Sequence, residues 1–273
     1  MKSLAALIVT VLVMNIGAFA QYKLEYKASG STPVRYKAHT TLETVESMMG
    51  QQAKVSVKSD QSISMTSSKD GSDIVYDITV DSSRNITLLP NGDTTRTTSP
   101  TVGQTKETRV HPDGNVISSR WLDSAFAKTQ AGETKDFGNF FFRLPDKEVS
   151  TGSTWAQTKV DTVQTGGGEG SIMVTTNSNY KLVDKETVEG LPCVRITFTG
   201  QVGLKGATSY QGIDFAINGS GTISGTAIFD YAHGKVVRLS GNSDQNLTMA
   251  SSGQKAVTIP MSQKTDYDLR LVK

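Results

Sequence analysis

The sequence predicts an all-β fold of mostly antiparallel strands, and three observations carry that reading. Apolar and polar side chains alternate with period two in stretch after stretch, the pattern of strands covered on one face only. Threonine and serine, 33 and 29 of the 273 residues, tilt local preference toward pleated, half-buried surface and away from helix. Turn signals rich in Gly, Asn, Asp and Pro fall between the alternating runs. The expected architecture is a curled antiparallel sheet, a sandwich or a half-barrel, as one domain or as two similar halves, with one or two short helices.

The chain opens on a leader. Lys2 supplies a positive start, Leu4 to Ile16 is nearly unbroken hydrocarbon, and Ala18-Phe19-Ala20 is an A-x-A exit after the helix-breaking Gly17. The apolar run is shorter than the roughly 20 residues a membrane span needs. Residues 1–20 are therefore read as a signal peptide cleaved after Ala20, leaving a secreted or periplasmic chain of 273 − 20 = 253 residues. No cysteine follows the exit, which excludes a lipid anchor on the new N-terminus, and no later stretch is apolar enough for a transmembrane helix.

Strand signals then follow in order. Tyr22, Leu24 and Tyr26 alternate with Lys23, Glu25 and Lys27. Thr40 to Met49 has apolar residues at helical spacing but is crowded with β-branched side chains, and reads as a long strand turning at Gly50. Val55 and Val57, Ile63 and Met65, and Ile74 to Val80 alternate cleanly. His111-Pro112-Asp113-Gly114 is a hairpin turn, and Trp121 to Lys128 suits a short amphipathic helix. Residues 21–131 form the N-terminal half, and 132–152 a connection whose Phe137, Phe140, Phe141 and Phe142 plug a seam between sheets. Residues 153–273 repeat the theme, with turns at Val188-Glu189-Gly190 and Ala232-His233-Gly234, a Gly166–Gly170 loop, and alternation at Tyr267, Leu269 and Leu271. Gly114-Asn115-Val116-Ile117 and Gly234-Lys235-Val236-Val237 echo each other across the two halves.

Composition narrows function by exclusion. With 28 basic against 26 acidic residues, the chain has no footprint of a nucleic-acid binder. The single cysteine, Cys193, rules out an intramolecular disulfide or a Cys-based metal site and reads as a small side chain within a strand. His39, His111 and His233 are far apart, two of them in turns, so no metal ligand set is assigned. Asp136-Phe137-Gly138 and Ser252-Gly253-Gln254-Lys255 spell fragments of enzyme motifs without their partner motifs. Asp73, Asp77 and Asp81 lie on polar strand faces with nothing marking two of them as an acid–base pair. No catalytic, metal or cofactor-binding residue is therefore assigned.

Leu144-Pro145 with Val149, Gly152 and Trp155, then Gly225 to Phe229-Asp230 running into Gly234-Lys235-Val236, and the segment around Met48-Met49-Gly50-Gln51, resemble a family of secreted β-rich bacterial proteins of about this length. In architecture such chains are similar to periplasmic lipoprotein carriers of the LolA kind. That resemblance implies a curled antiparallel sheet and supplies no site residue. In a bacterial host the sequons at Asn85, Asn218 and Asn246 would be silent.

The residues point first to an exported, non-enzymatic binding protein for a lipid or other apolar ligand. A large one-sided sheet must cover its apolar face, and Met48, Met49, Met65, Met173, Met249 and Met261 could adapt to a flexible chain. A structural or interaction module of the cell envelope without a small-molecule ligand, presenting Thr/Ser-rich strands to an envelope protein or a glycan, fits equally. An outer-membrane β-barrel is a lesser alternative, since the chain ends in Leu271-Val272-Lys273 and only 7% of residues are aromatic.

Overall fold

The computed structural model describes residues 21–48, 50–129, 140–164, 170–210, 213–251 and 256–272. The leader, Phe137, most of the Gly166–Gly170 loop, and the Asp136 and Ser252 motif fragments lie outside the described residues. The strands are β1 (Gly30–Met48), β2 (Gln51–Asp70), β3 (Asp73–Leu88), β4 (Thr94–Thr97), β5 (Thr105–Val110) and β6 (Val116–Trp121), then β7 (Thr154–Gln164), β8 (Ser171–Val188), β9 (Leu191–Tyr210), β10 (Ile213–Asp230), β11 (Lys235–Ser251) and β12 (Thr258–Val272). One short helix, α1 (Ser124–Thr129), follows β6, capped by Asp123, whose Oδ1 accepts from the Ala125 and Phe126 amides.

All twelve strands form a single antiparallel sheet in the order β6-β5-β3-β2-β1-β12-β11-β10-β9-β8-β7, with β4 beside the far end of β3. The fold class read from the sequence is thus the one observed, and the half-chains occupy contiguous sides joined where β1 pairs with β12. The strand at Thr40–Met48 is the last part of β1, and Gly50 takes the left-handed φ of +80° that its turn requires. At Glu189-Gly190 two successive positive φ angles, 51° and 82°, close the β8–β9 hairpin as a type I′ turn would.

The core sits at one end of the sheet. Ile63, Ile74, Ile78, Leu182, Ile196, Phe229 and Leu239 point inward from seven places around it, each at most 3% exposed. One cluster unites residues of β1–β3 with residues of β8–β12, so the sheet curls until its two sides share one interior. The Phe-rich segment does not separate two sheets. Phe140, Phe142 and Leu144 fill the hollow of the single curled sheet, because its turn end would otherwise leave aromatic and aliphatic faces in water.

The N-terminal segment seals the same end. Leu24 and Tyr26 are buried, and the chain there runs across both hairpin turns that echo each other in sequence. The Tyr26 amide donates to Pro112 O at 2.7 Å, and the Lys27 amide to Gly234 O at 3.1 Å. Neither turn glycine has room for a side chain: a Cβ on Gly114 would stand 2.2 Å from Phe142 O, and one on Gly234 2.5 Å from the Lys27 amide. The repeated glycine thus reflects a shared task, close passage of a second backbone. The Tyr26 hydroxyl completes the seal by accepting from the Phe142 amide at 3.1 Å and donating to its carbonyl at 3.3 Å.

Candidate functional site

Beyond the plug, the inner face continues along the long strands and encloses a cavity of about 440 Å³. Register places its wall in rows. Trp155, Tyr180, Phe198, Gly225, Gly241 and Tyr267 occupy neighbouring positions across β7 to β12. Four residues further along each strand, Lys159, Thr176, Val202, Gly221 and Gln245 form another such row from β7 to β11, with Gln157, Ser178, Gly200, Ile223 and Ser243 in the row between.

The first row is the floor. Trp155 stacks on Tyr180 with ring centroids 5.5 Å apart, and its Nε1 donates to Arg143 O at 3.0 Å. The rings of Phe198 and Tyr267 lie over the two glycines. A Cβ on Gly225 would approach Phe198 Cζ to 2.4 Å, and one on Gly241 would approach the Tyr267 hydroxyl to 2.7 Å. These glycines leave the two rings room against the sheet. Burial raises the phenols of Tyr180 and Tyr267 above their ordinary value, so both rings stay neutral.

Val163, Val174, Val202, Ile223 and Leu239 contribute apolar side chains to the walls. On β7, Gln157, Lys159 and Asp161 share the inner face, and Lys159 Nζ lies 3.0 Å from an Asp161 carboxylate oxygen. The cavity is a chamber of mixed lining, its valines, Ile223 and Leu239 interspersed with Thr176, Ser178, Ser243, Gln245 and Thr265, with a charged lip on β7 and a size typical for small-molecule sites.

The opposite face is polar and charged. Arg238, Arg270 and Lys37 stand directly opposite one another on β11, β12 and β1, and Asp268 takes Nε of both arginines at 2.8 and 2.5 Å. His39 Nδ1 lies 2.7 Å from Asp60. A shallow outer groove of about 790 Å³ runs across these residues.

Residues singled out in the sequence scatter over this frame. His39, His111 and His233 each sit beside a different carboxylate, Asp60, Asp113 and Asp230, at 2.7, 3.0 and 2.7 Å. Asp230 is fully buried and satisfied within its turn by the Ala232 and His233 amides, so it is a structural cap. Among the acids, Asp73 approaches Arg109, Asp81 accepts from Ser64, and Asp77 faces Glu107 across β5. Cys193 is buried, and burial pushes its thiol up to about 11, which leaves it protonated and a poor nucleophile at neutral pH.

Of the methionines, Met65 belongs to the core and Met173 is exposed. Met249 and Met261 are half-buried on the inner face beyond the cavity. The side chains of Met48 and Met49 lie outside the described residues. Sequence reasoning missed the aromatic floor and the β7 lip. The signal was there in Trp155, Gln157, Lys159, Asp161 and Val163, which alternate with period two, but a strand with so mixed an inner face has no apolar stripe to mark it.

Among the described residues, no helix is long and apolar enough to cross a membrane, which says nothing of spanning by strands. No family model and no curated protein matches the chain. Among solved structures it is similar to Pseudomonas aeruginosa OpdQ, at 8% identity and a TM-score of 0.33 over 88% of this chain and 99% of that one. It is also similar to the COG4313 outer membrane channel from Pseudomonas putida F1, at 8% identity and a TM-score of 0.29 over 94% and 98% of the two chains. Neisserial surface protein A follows at 6% identity and a TM-score of 0.22, over 87% and 97%. Likenesses this distant carry no argument about what the cavity holds.

Proposed function

We propose that the protein is an exported carrier that holds an apolar or amphipathic molecule, such as the acyl part of a lipid, in the hollow of its curled sheet. The observation that supports it is the cavity of about 440 Å³, lined in large part by apolar side chains, closed at one end by the aromatic plug and edged by Lys159, Asp161 and Gln157. Such a chamber desolvates a hydrocarbon chain while the lip meets a polar headgroup. The resemblance to secreted β-rich bacterial proteins, and in architecture to LolA-like carriers, accords with this reading, as does the A-x-A leader. The charged row of Arg238, Arg270 and Lys37 on the outer face favours water on that side.

The test is mass spectrometry of solvent extracts from protein purified out of its own host, compared with a Val174→Trp variant that fills the cavity. The carrier reading expects a stoichiometric lipid-like adduct in the wild type and its loss in a variant with unchanged circular dichroism. Consistent absence of any adduct overturns it. Retention in outer-membrane fractions through osmotic shock and alkaline washing would favour the barrel alternative instead.

A further inference from the structure

The two ends of the sheet are treated differently. At one end β6 has only six residues and runs directly into α1, whose Phe126 packs edge-on against Trp121 at 5.0 Å. A short strand closed off by a helix is a protected edge. At the other end β7 has eleven residues, no proline, and no strand paired along its outer side among the described residues. Its mid-point residue on the outer face, Val160, is 57% exposed. A long unprotected edge with an exposed apolar centre is the form that recruits another strand.

The residues around Val160 specify which strand. In an antiparallel, two-fold pairing of β7 with itself, centring on Lys159 would set lysine against lysine, and centring on Asp161 would set carboxylate against carboxylate. Centring on Val160 instead places Lys159 opposite Asp161 of the second copy, and the symmetry makes that pair twice. The same register sets Val160 on Val160, Thr158 on Thr162 and Gln157 on Val163. Like faces also match, so inner side continues into inner side. Directly opposed unlike charges and threonine pairs favour a register, and like charges disfavour it.

We propose that β7 is a dimerisation edge, pairing antiparallel with β7 of a second copy of this chain about a two-fold axis at Val160. Such an interface is isologous and self-limiting, because each copy uses the one long edge left open among the described residues. It brings the two polar lips side by side, so that Lys159 and Asp161 of both copies line a shared rim.

Light scattering on the leaderless chain reads the oligomeric state, and it should be a dimer. Lys159→Asp sets carboxylates opposite one another at both symmetry-related positions and should raise the dimer dissociation constant about tenfold or more. The double swap Lys159→Asp with Asp161→Lys should restore it. Val160→Cys should form a reducible cross-linked dimer on mild oxidation, faster than Ile117→Cys on β6. Circular dichroism checks that each variant folds. A wild-type chain that stays monomeric overturns the proposal. So does a dimer indifferent to the charge reversal, or one in which Val160→Cys cross-links no faster than Ile117→Cys.

Discussion

At the scale of single residues, the phenols of the sealed end carry a pH signature. Burial holds Tyr76 well above its ordinary value, and Tyr26 and Tyr36 are raised mainly for the same reason. In the unfolded chain a tyrosine ionises near pH 10. Below that pH both states keep the proton, and the shift contributes no slope. Above it only the unfolded chain releases the proton, so each such residue lowers stability by about 1.4 kcal/mol per pH unit until the folded phenol also ionises. Tyr76→Phe should therefore unfold in urea much like the wild type at neutral pH and resist alkali better above about pH 10. Urea midpoints measured across that range check it. Tyr36 is a poorer choice, since its hydroxyl donates to the buried Val236 carbonyl at 3.0 Å and its loss would cost stability at every pH.

At the scale of elements, strand identity and turns were legible in the sequence, and the way the sheet closes was not. Period-two alternation marked Val55, Val57, Ile63 and Met65 of β2, Ile74 to Val80 of β3 and Tyr267 to Leu271 of β12, because the inner residues of those stretches are apolar. It failed for β7, whose inner face reads Trp155, Gln157, Lys159, Asp161. The helix expected over Trp121 to Lys128 begins only at Ser124, because Trp121 pairs with Lys106 as the last residue of β6. The plug was read as lying between two sheets, since nothing local tells a phenylalanine whether one sheet or two surrounds it. Gly225 and Gly241 were equally silent, because their role depends on rings from neighbouring strands. Gly241→Ala should lower stability by about 1–3 kcal/mol, as expected of overpacking where a ring and a neighbouring backbone leave no space. A control exists on the same sheet: a Cβ on Gly203 meets nothing nearer than 4.0 Å, so Gly203→Ala should cost little. Thermal melts of the two variants make the comparison.

At the scale of the whole molecule, one end of the curled sheet is sealed and the other open. The seal is assembled from distant pieces: the N-terminal segment, the Phe-rich segment, and the turns at Gly114 and Gly234. Tyr22 and Val149 exchange backbone hydrogen bonds of 2.7 and 3.0 Å, tying the first piece to the second. Deleting residues 21–27 removes the buried Leu24 and Tyr26 and leaves the Phe142 amide and carbonyl without their phenol partner. The truncated chain should bind a hydrophobic dye and melt over a broader range than the full chain, while keeping its β-sheet dichroism.

The seam between β1 and β12 imposes an order of events on biogenesis. Tyr36 cannot meet Leu271, nor Ala38 meet Leu269, until β12 has been made, so until then β1–β6 and β7–β11 stay two unjoined flaps. Contacts this remote in sequence form slowly. Under the export proposed above, that delay would leave the chain time to cross as an unfolded thread before its seam closes.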